Sequence, residues 1–253
     1  MVYQAPMSDT LTPSGKAPRR RRGRKLRLLR ALGLILGAIV AIPLVLVPVY
    51  GFVPPVSVPM LERHLTGRPV VRVWRDIEEV SDRLKAAVIM SEDGQFCRHH
   101  GVDLSALRTE IDNFLAGRDT RGASTLTMQV ARNLFLTNSR SAVRKALEVP
   151  LALYIDLVLS KKRIMEIYLN IAEWGPEGQF GVVAGAEAAF GVVPDALSWE
   201  RASLLAVTLP NPLVRRPGRP GPGLRRVASV IEARTRQFGT RAGCVAPGRA
   251  LAL

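Results

Sequence analysis

AAVIMSEDGQFCRHHGVD, residues 86–103, joins an apolar run to a cluster of acids, histidines and one cysteine. Ala86 to Met90 are apolar without interruption, and Glu92 and Asp93 follow almost at once. A carboxylate that emerges from an apolar segment loses hydration, which raises its pKa and suits it to acid–base work near neutral pH. The same residues also read as a helix end with solvated acids, and composition alone favours that plainer reading. Cys97, His99 and His100 offer metal-ligating atoms, but no second ligand pair at a suitable spacing follows, so no metal is assigned. Asp103 stands where a cap would, ahead of Leu104, Leu107 and Ile111 at helical spacing, with Gly117 near the end of that run.

Helical periodicity continues outward from this stretch. Leu147, Leu151, Tyr154 and Val158 recur on one helical face, as do Ile164, Ile167, Tyr168 and Ile171. Strand-like alternation is scarce and no internal repeat is visible, so residues 75–210 read as mostly α-helical. Pro150 would lose a backbone bond and clash with the carbonyl of Ala146, which predicts a bend beside Glu148. After Pro210 the chain turns rich in Pro, Gly and Arg as far as Leu224. A short amphipathic stretch, Val227 to Phe238, precedes what reads as a loose tail.

The formal charge of +15 is unevenly placed. Residues 1–30 hold nine Lys/Arg and one acid, residues 211–253 again nine and one, and the body between carries 18 against 19. Basic ends suit anionic lipid headgroups as well as nucleic acid. With 6% aromatics, and none interleaved with the terminal arginines, base stacking has no platform, and nucleic acid is not expected as a partner. Between Arg30 and Glu62 there is no charged residue. Ala31 to Tyr50 is long enough to cross a bilayer core as a helix, and its two prolines, Pro43 and Pro48, are tolerated in membranes. The arginine block before it predicts a cytoplasmic N-terminus and an external body. The expected organisation is therefore a basic cytoplasmic tail (1–30), a transmembrane helix (31–53), a membrane-proximal linker (54–74), the main domain (75–212) and a basic C-terminal tail (213–253). Cys97 and Cys244 could pair in an oxidising exterior or remain two unrelated thiols, and spacing does not decide.

Two further clusters carry chemistry. RGASTLTMQVARNLFL, residues 121–136, is a small-residue turn leading through Ser124 and Thr125 into an apolar-periodic segment. Such a helix start offers free backbone N–H groups to an anion, but it lacks nucleotide P-loop spacing. Arg140, Arg144 and Glu148 then fall at i, i+4 and i+8, which puts cations and an acid on one helical face. That face could grip a diphosphate or simply be a salt-bridged, solvated surface.

Taken together, the order of these clusters resembles the glycosyltransferase family 51 domain of monofunctional peptidoglycan transglycosylases and class A penicillin-binding proteins. Glu92, Asp93, Phe96, His99, Gly101 and Asp103 match the fixed positions of its first motif, and Gly122 through Asn133 correspond to its second. Arg144, Lys145 and Glu148 match the third, and Ser160, Lys161, Glu166, Tyr168, Leu169 and Asn170 the fourth. The stretches 171–175 and 181–190 look like the monofunctional branch, and no transpeptidase domain is expected after residue 210. The likeness covers Trp74 to Pro212. It departs at Met128, where Gln is usual, and at Arg132, where Lys is usual.

The resemblance implies a mostly α, lysozyme-like helical domain with a small jaw near residues 105–145. It implies glycan polymerisation at the outer face of the cytoplasmic membrane, with the nascent glycan strand passing from its lipid diphosphate to the 4-hydroxyl of lipid II. Glu92 would be the base and Glu148 would orient substrate. Arg132, Arg140, Arg144 and Lys145 would meet the diphosphate, and Ser124, Thr125 and Gln129 would line the donor site. Asp93, Phe96, His99, Gly101, Asp103 and Asn170 would hold the cleft together. No cofactor is required by this reading, although Glu148 could hold a divalent cation, Mg or Mn. Other cell-wall synthesis proteins are candidate partners. A glycan hydrolase would need a general acid and commonly a second carboxylate, with no use for a diphosphate-directed cation cluster. A catalytically idle scaffold would have no use for the two retained acids.

Overall fold

The computed structural model describes Met1 and residues 19–118, 124–137 and 141–253. Arg140, the Arg121–Ala123 part of the second cluster and most of the basic N-terminal stretch lie outside the described residues. The chain divides into two compact units, residues 1–44 and 45–253. The structure is mostly helical, as the periodicity predicts.

Helix α1 (Arg19–Val49) runs through both Pro43 and Pro48, and its span Leu26–Val49 is long and apolar enough to cross a bilayer. The basic residues from Arg19 on, assigned in sequence to the basic tail 1–30, are helical and continuous with the apolar run. The larger unit then contains α2 (Val58–Leu65), α3 (Asp82–Glu92), α4 (Leu104–Leu115), α5 (Leu126–Phe135), α6 (Ala142–Val158), α7 (Lys161–Ile171), α8 (Gly181–Phe190), α9 (Trp199–Ala206) and α10 (Pro222–Phe238). Two short parallel strands, β1 (Val71–Arg72) and β2 (Gln179–Phe180), pair Val71 with Gln179 and Arg72 with Phe180.

Five of the described helices start where a hydroxyl can accept an unpaired N–H of the first turn. Ser57, Thr125, Ser141, Ser160 and Ser198 cap α2, α5, α6, α7 and α9 in this way. Asp103 does the same for α4, accepting the N–H groups of Ser105 and Ala106 at 3.0 Å each. Pro150 does not end α6, which stays helical from Ala142 to Val158. Residues 45–253 form one compact unit, which includes the described part of the 105–145 stretch where the jaw is expected.

The core is built on α3 and α7. Leu84 and Ala86 through Met90 are buried on α3, and every residue from Ile164 to Ile171 is buried on α7. Helix α3 packs against α9, α10 and the C-terminal 3₁₀ turn, while α5 packs against α6 and α7. Asn170, fully buried on α7, closes the neighbouring loop by accepting the Arg75 N–H and donating to the Arg75 and Glu166 carbonyls, each at 2.8 Å.

The C-terminal stretch corrects a sequence expectation. Residues 213–253 are not a loose tail: α10 buries Ala228, Ile231 and Thr235, and a 3₁₀ turn (Gly239–Val245) follows it against the body. The Pro/Gly-rich segment that suggested a domain end is a fitted turn. Pro217 is buried, and a Cβ on Gly218 would come within 2.3 Å of the Ala189 carbonyl oxygen. Cys97 and Cys244 form a disulfide with their Cα atoms 5.6 Å apart, which decides the question that spacing left open.

Replacing Asn170 by Ala removes the side-chain partners of the Arg75 N–H and carbonyl at a part-buried junction. It is expected to cost on the order of 3 kcal/mol, read as a lower melting temperature of the purified full-length chain. An unchanged melting temperature would contradict this account of the α7 junction.

Candidate active site

The first motif is assembled around the carboxylate of Asp93, which is 8% exposed. Its Oδ2 accepts the backbone N–H of Leu126, the first residue of α5, at 2.9 Å. His99 Nε2 lies 3.0 Å from both carboxylate oxygens. Thr125 supplements the joint: its hydroxyl accepts the Met128 N–H at 3.1 Å and donates to the Gly101 carbonyl at 2.6 Å. Gly101 has φ +79° and passes so near α6 that a Cβ would sit 2.4 Å from the Ala152 carbonyl oxygen. Phe96 is fully buried, with the Lys161 ammonium over its ring. Asp93, Phe96, His99, Gly101 and Asp103 thus hold the end of α3 against the starts of α4 and α5 and the middle of α6. Asn170 lies apart from them, at the junction of α7 with the Arg75 loop.

Glu92 is the last residue of α3, where the apolar helix delivers it half-buried to the cleft. Burial raises its carboxyl above the ordinary range. Hydrogen bonds from Gln129 and Ser91 and the fields of Arg215 and Arg132 pull the other way without cancelling it. Gln129 Nε2 donates to Glu92 Oε2 at 3.1 Å, and the Tyr168 hydroxyl donates to Gln129 Oε1 at 3.1 Å. A chain of three side chains from α7, α5 and α3 therefore fixes the carboxylate. Tyr168 is buried and its hydroxyl is pushed well above its ordinary pKa, first by burial and then by the Glu92 charge, so it serves as a neutral donor.

Two cavities are lined by members of this chain of side chains. The larger, about 480 Å³, is lined by Gln129, Arg132, Asn133, Arg144, Tyr168 and Glu173, among others. The smaller, about 130 Å³, is lined by Glu92, Asp93, Asp103, Ser124 and Thr125, among others. Of the residues grouped in sequence as one donor site, Gln129 faces the larger cavity while Ser124 and Thr125 face the smaller. Arg144 reaches Glu148, which is 2% exposed on α6, and forms an ion pair with it one helical turn away. Lys145 donates to the Ser124 hydroxyl at 2.8 Å, and its ammonium is held below its ordinary pKa mainly by burial and also by Arg144 and Arg132. Arg132 lines the larger cavity, and its Nε is buried without a hydrogen-bond partner. Met128 is fully buried, so the departure from the family's usual Gln faces the core and not the cleft.

Metal binding does not follow from this geometry. Among the described residues no group of three His, Cys, Asp or Glu side chains is placed to hold an ion, and the Glu148 carboxylate is engaged by Arg144. The Cys97, His99 and His100 cluster is likewise divided, with Cys97 in the disulfide and His99 on Asp93. Some contributors were not singled out by the sequence. Arg215, assigned there to the C-terminal tail, acts on Glu92 through its charge. Glu173 lines the larger cavity and is paired with Arg63 at 2.7 Å. Glu173 falls in the 171–175 stretch noted above, though without an assigned role; no local pattern marks Arg215, which a Pro-rich turn brings back, or Arg63, which comes from α2, far away in sequence.

Comparison with known proteins gives consistent relatives. The sequence model of the family described as Transglycosylase matches residues 61–235. A protein of Rhodopseudomonas palustris (strain TIE-1) named biosynthetic peptidoglycan transglycosylase is 52% identical over 230 residues, covering 91% of this chain and 94% of that protein. Proteins of the same name from Mesorhizobium japonicum and Agrobacterium fabrum are 52% and 50% identical, covering 88% and 82% of this chain and 95% and 92% of their own lengths. The family match extends past Pro212 into α10, in keeping with a body that includes the C-terminal helix.

The raised Glu92 carboxyl has a stability consequence whose sign is fixed. Its folded pKa lies above its unfolded one, so ionisation above the folded pKa destabilises the native state. Glu92→Gln removes that burden and is expected to raise the melting temperature at neutral pH. The advantage should shrink as pH falls through the raised pKa and vanish once the carboxyl is protonated in both states. A destabilised variant at neutral pH would show that Glu92 is not held in a desolvated setting.

Proposed function

The chain belongs to the transglycosylase family, and from that premise we propose how its cleft builds glycan strands. The protein is a peptidoglycan transglycosylase of cell-wall biosynthesis. In our reading the acceptor is a lipid-diphosphate-linked disaccharide, lipid II, and the donor is the growing strand on its own lipid diphosphate. Glu92 removes the proton of the acceptor 4-hydroxyl as that oxygen attacks the anomeric carbon of the donor. The bond from that carbon to the diphosphate breaks with inversion, and polyprenyl diphosphate leaves carrying the electron pair.

The observation that carries this reading is the hydrogen bond by which Gln129, which lines one cavity, reaches Glu92, which lines another. On one side, Arg132 and Arg144 line a cavity suited to the diphosphate oxygens, where negative charge grows in the transition state. On the other, Glu92 faces a small cavity with Ser124 and Thr125, which suits an acceptor hydroxyl. A carboxylate with a raised pKa and a hydrogen bond from Gln129 fits a general base working near neutral pH. Glu148 holds the Arg144 guanidinium in place, and Lys145 holds Ser124. Arg140, which lies outside the described residues, joins the diphosphate-binding cations in this proposal on its motif position alone. No metal step is needed.

Helix α1 supports a single-pass anchor, and the basic residues that open it support a cytoplasmic N-terminus with the catalytic body in the periplasm. Both substrates carry lipid tails, so an anchor confines enzyme and substrate to one surface and raises their mutual concentration.

The test is incubation of the full-length chain in detergent or vesicles with lipid-linked disaccharide precursor. Polymeric glycan is expected, with the rate falling about 10²–10⁴-fold for Glu92→Gln and about 10²-fold for Arg144→Ala. The rate of the unaltered enzyme should fall as pH drops through the raised Glu92 pKa. Gln129→Ala should move that acid limb upward, because the lost hydrogen bond favours the ionised form. Polymer undiminished by Glu92→Gln, or shortened glycan in place of polymer, would sink the proposal.

A further inference from the structure

Helix α3, which ends on Glu92, is gripped at both ends by the C-terminal segment. At its first residue, the Asp82 carboxylate takes a two-pronged hydrogen bond from Arg249, with Nη1 at 2.6 Å and Nη2 at 2.8 Å. The Ala252 N–H adds a third bond at 2.8 Å, and Lys85 pairs with the same carboxylate at 2.6 Å. Asp82 is 8% exposed, and although burial alone would raise its carboxyl, Arg249, Lys85 and Ala252 together hold it well below the usual carboxylate range. Just beyond the other end of α3, Cys97 is bonded to Cys244 of the 3₁₀ turn. Between these ties, Ala242 and Val245 are buried, and a Cβ on Gly239 would come 2.8 Å from Leu253 Cδ1 and 3.5 Å from the Ala86 Cβ of α3. Residues 239–253 therefore lie along α3 in close contact.

A single tie would merely anchor the end of the chain. Two ties that straddle one helix fix both its long-axis position and its rotation, and Glu92 projects from its last residue. The loop that follows also carries Cys97 between Phe96 and His99, so the disulfide bears on the same segment as Asp93. Displacement of a catalytic group by about 1 Å is enough to cost on the order of 100-fold in rate. We propose that the C-terminal segment 239–253 is a positioning clamp for Glu92, acting through the Cys97–Cys244 bond and the Arg249–Asp82 pair. The inference rests on the proposed role of Glu92 as the base, and it makes Cys97, Cys244, Asp82 and Arg249 positioning residues that touch no substrate.

The experiment uses the full-length chain and measures kcat, KM, the pH dependence of kcat and the melting temperature. The forms compared are the oxidised enzyme, the Cys97→Ser/Cys244→Ser variant, the enzyme treated with a phosphine reductant, Arg249→Ala and Arg249→Lys. The phosphine supplies two electrons: the S–S bond breaks, two thiols form with protons from water, and the phosphine leaves as its oxide. Assays run well below the lowest melting temperature.

Loss of either tie is expected to lower kcat by on the order of 10- to 100-fold, with KM little changed. The acid limb should shift toward lower pH as water reaches Glu92. Arg249→Lys should recover part of the rate, and reoxidation of the reduced enzyme should restore it. A lower melting temperature with kcat and acid limb both unchanged would overturn the proposal and leave a purely structural staple. If the cysteine variant does not fold, reduction of the folded enzyme and Arg249→Ala decide by the same readouts. Direct titration of the Glu92 carboxyl, taken as the spectral difference from Glu92→Gln, follows the same shift without any turnover. An oxidised chain that makes no polymer counts against the proposed function, while a Glu92 titration unmoved by reduction counts against the clamp.

Discussion

The carboxylate of Asp93 is the joint on which the cleft depends. It accepts the first free N–H of α5 and faces the His99 ring, so a single buried group ties the end of α3, the following loop and the start of α5. A helix start presents unpaired donors and a positive field, and an anion placed there meets both. Because Glu92 precedes Asp93 and Gln129 lies on α5, the same joint sets the distance over which Gln129 reaches Glu92. The fully buried α7 supplies the other side, with Tyr168 held by packing and directed at Gln129.

The electrostatics of the site follow from where each charge is left. Glu92 sits at the boundary of the core and is raised by lost hydration, while the nearby cations moderate that rise without becoming its ion-pair partners. Arg144 and Glu148 neutralise one another on α6, so that the buried acid is stabilised and the guanidinium is fixed in direction. Arg132 differs in keeping a buried Nε without a partner beside the larger cavity. A cleft with an uncommitted donor on one side and a desolvated acid on the other is polarised in the direction the proposed transfer moves charge.

Much of the fold could be read locally, and particular residues show why. The Leu147–Val158 and Ile164–Ile171 periodicities correspond to α6 and α7, and Asp103 caps α4 as its position suggested. Each of these depends on neighbours within a few residues, which is the range over which helical spacing carries information. The end of the domain is not legible locally, because Pro, Gly and Arg between 210 and 224 look alike in a linker and in a tight turn. Only the fit of Pro217 and Gly218 against the body separates the two.

The sequence by itself determined the helical class, the apolar span of α1 and the order of the acidic and basic motifs. These are properties of composition and short-range spacing. Tertiary structure alone decided that Cys97 and Cys244 pair across a sequence separation of 147, that Met128 faces the core, and that Arg215 bears on Glu92. It also decided that the last residues of the chain grip the helix that carries Glu92. The physical reason is common to all of these: each is a contact between segments far apart along the chain, whose proximity is fixed by packing and leaves no periodic trace in the residues themselves.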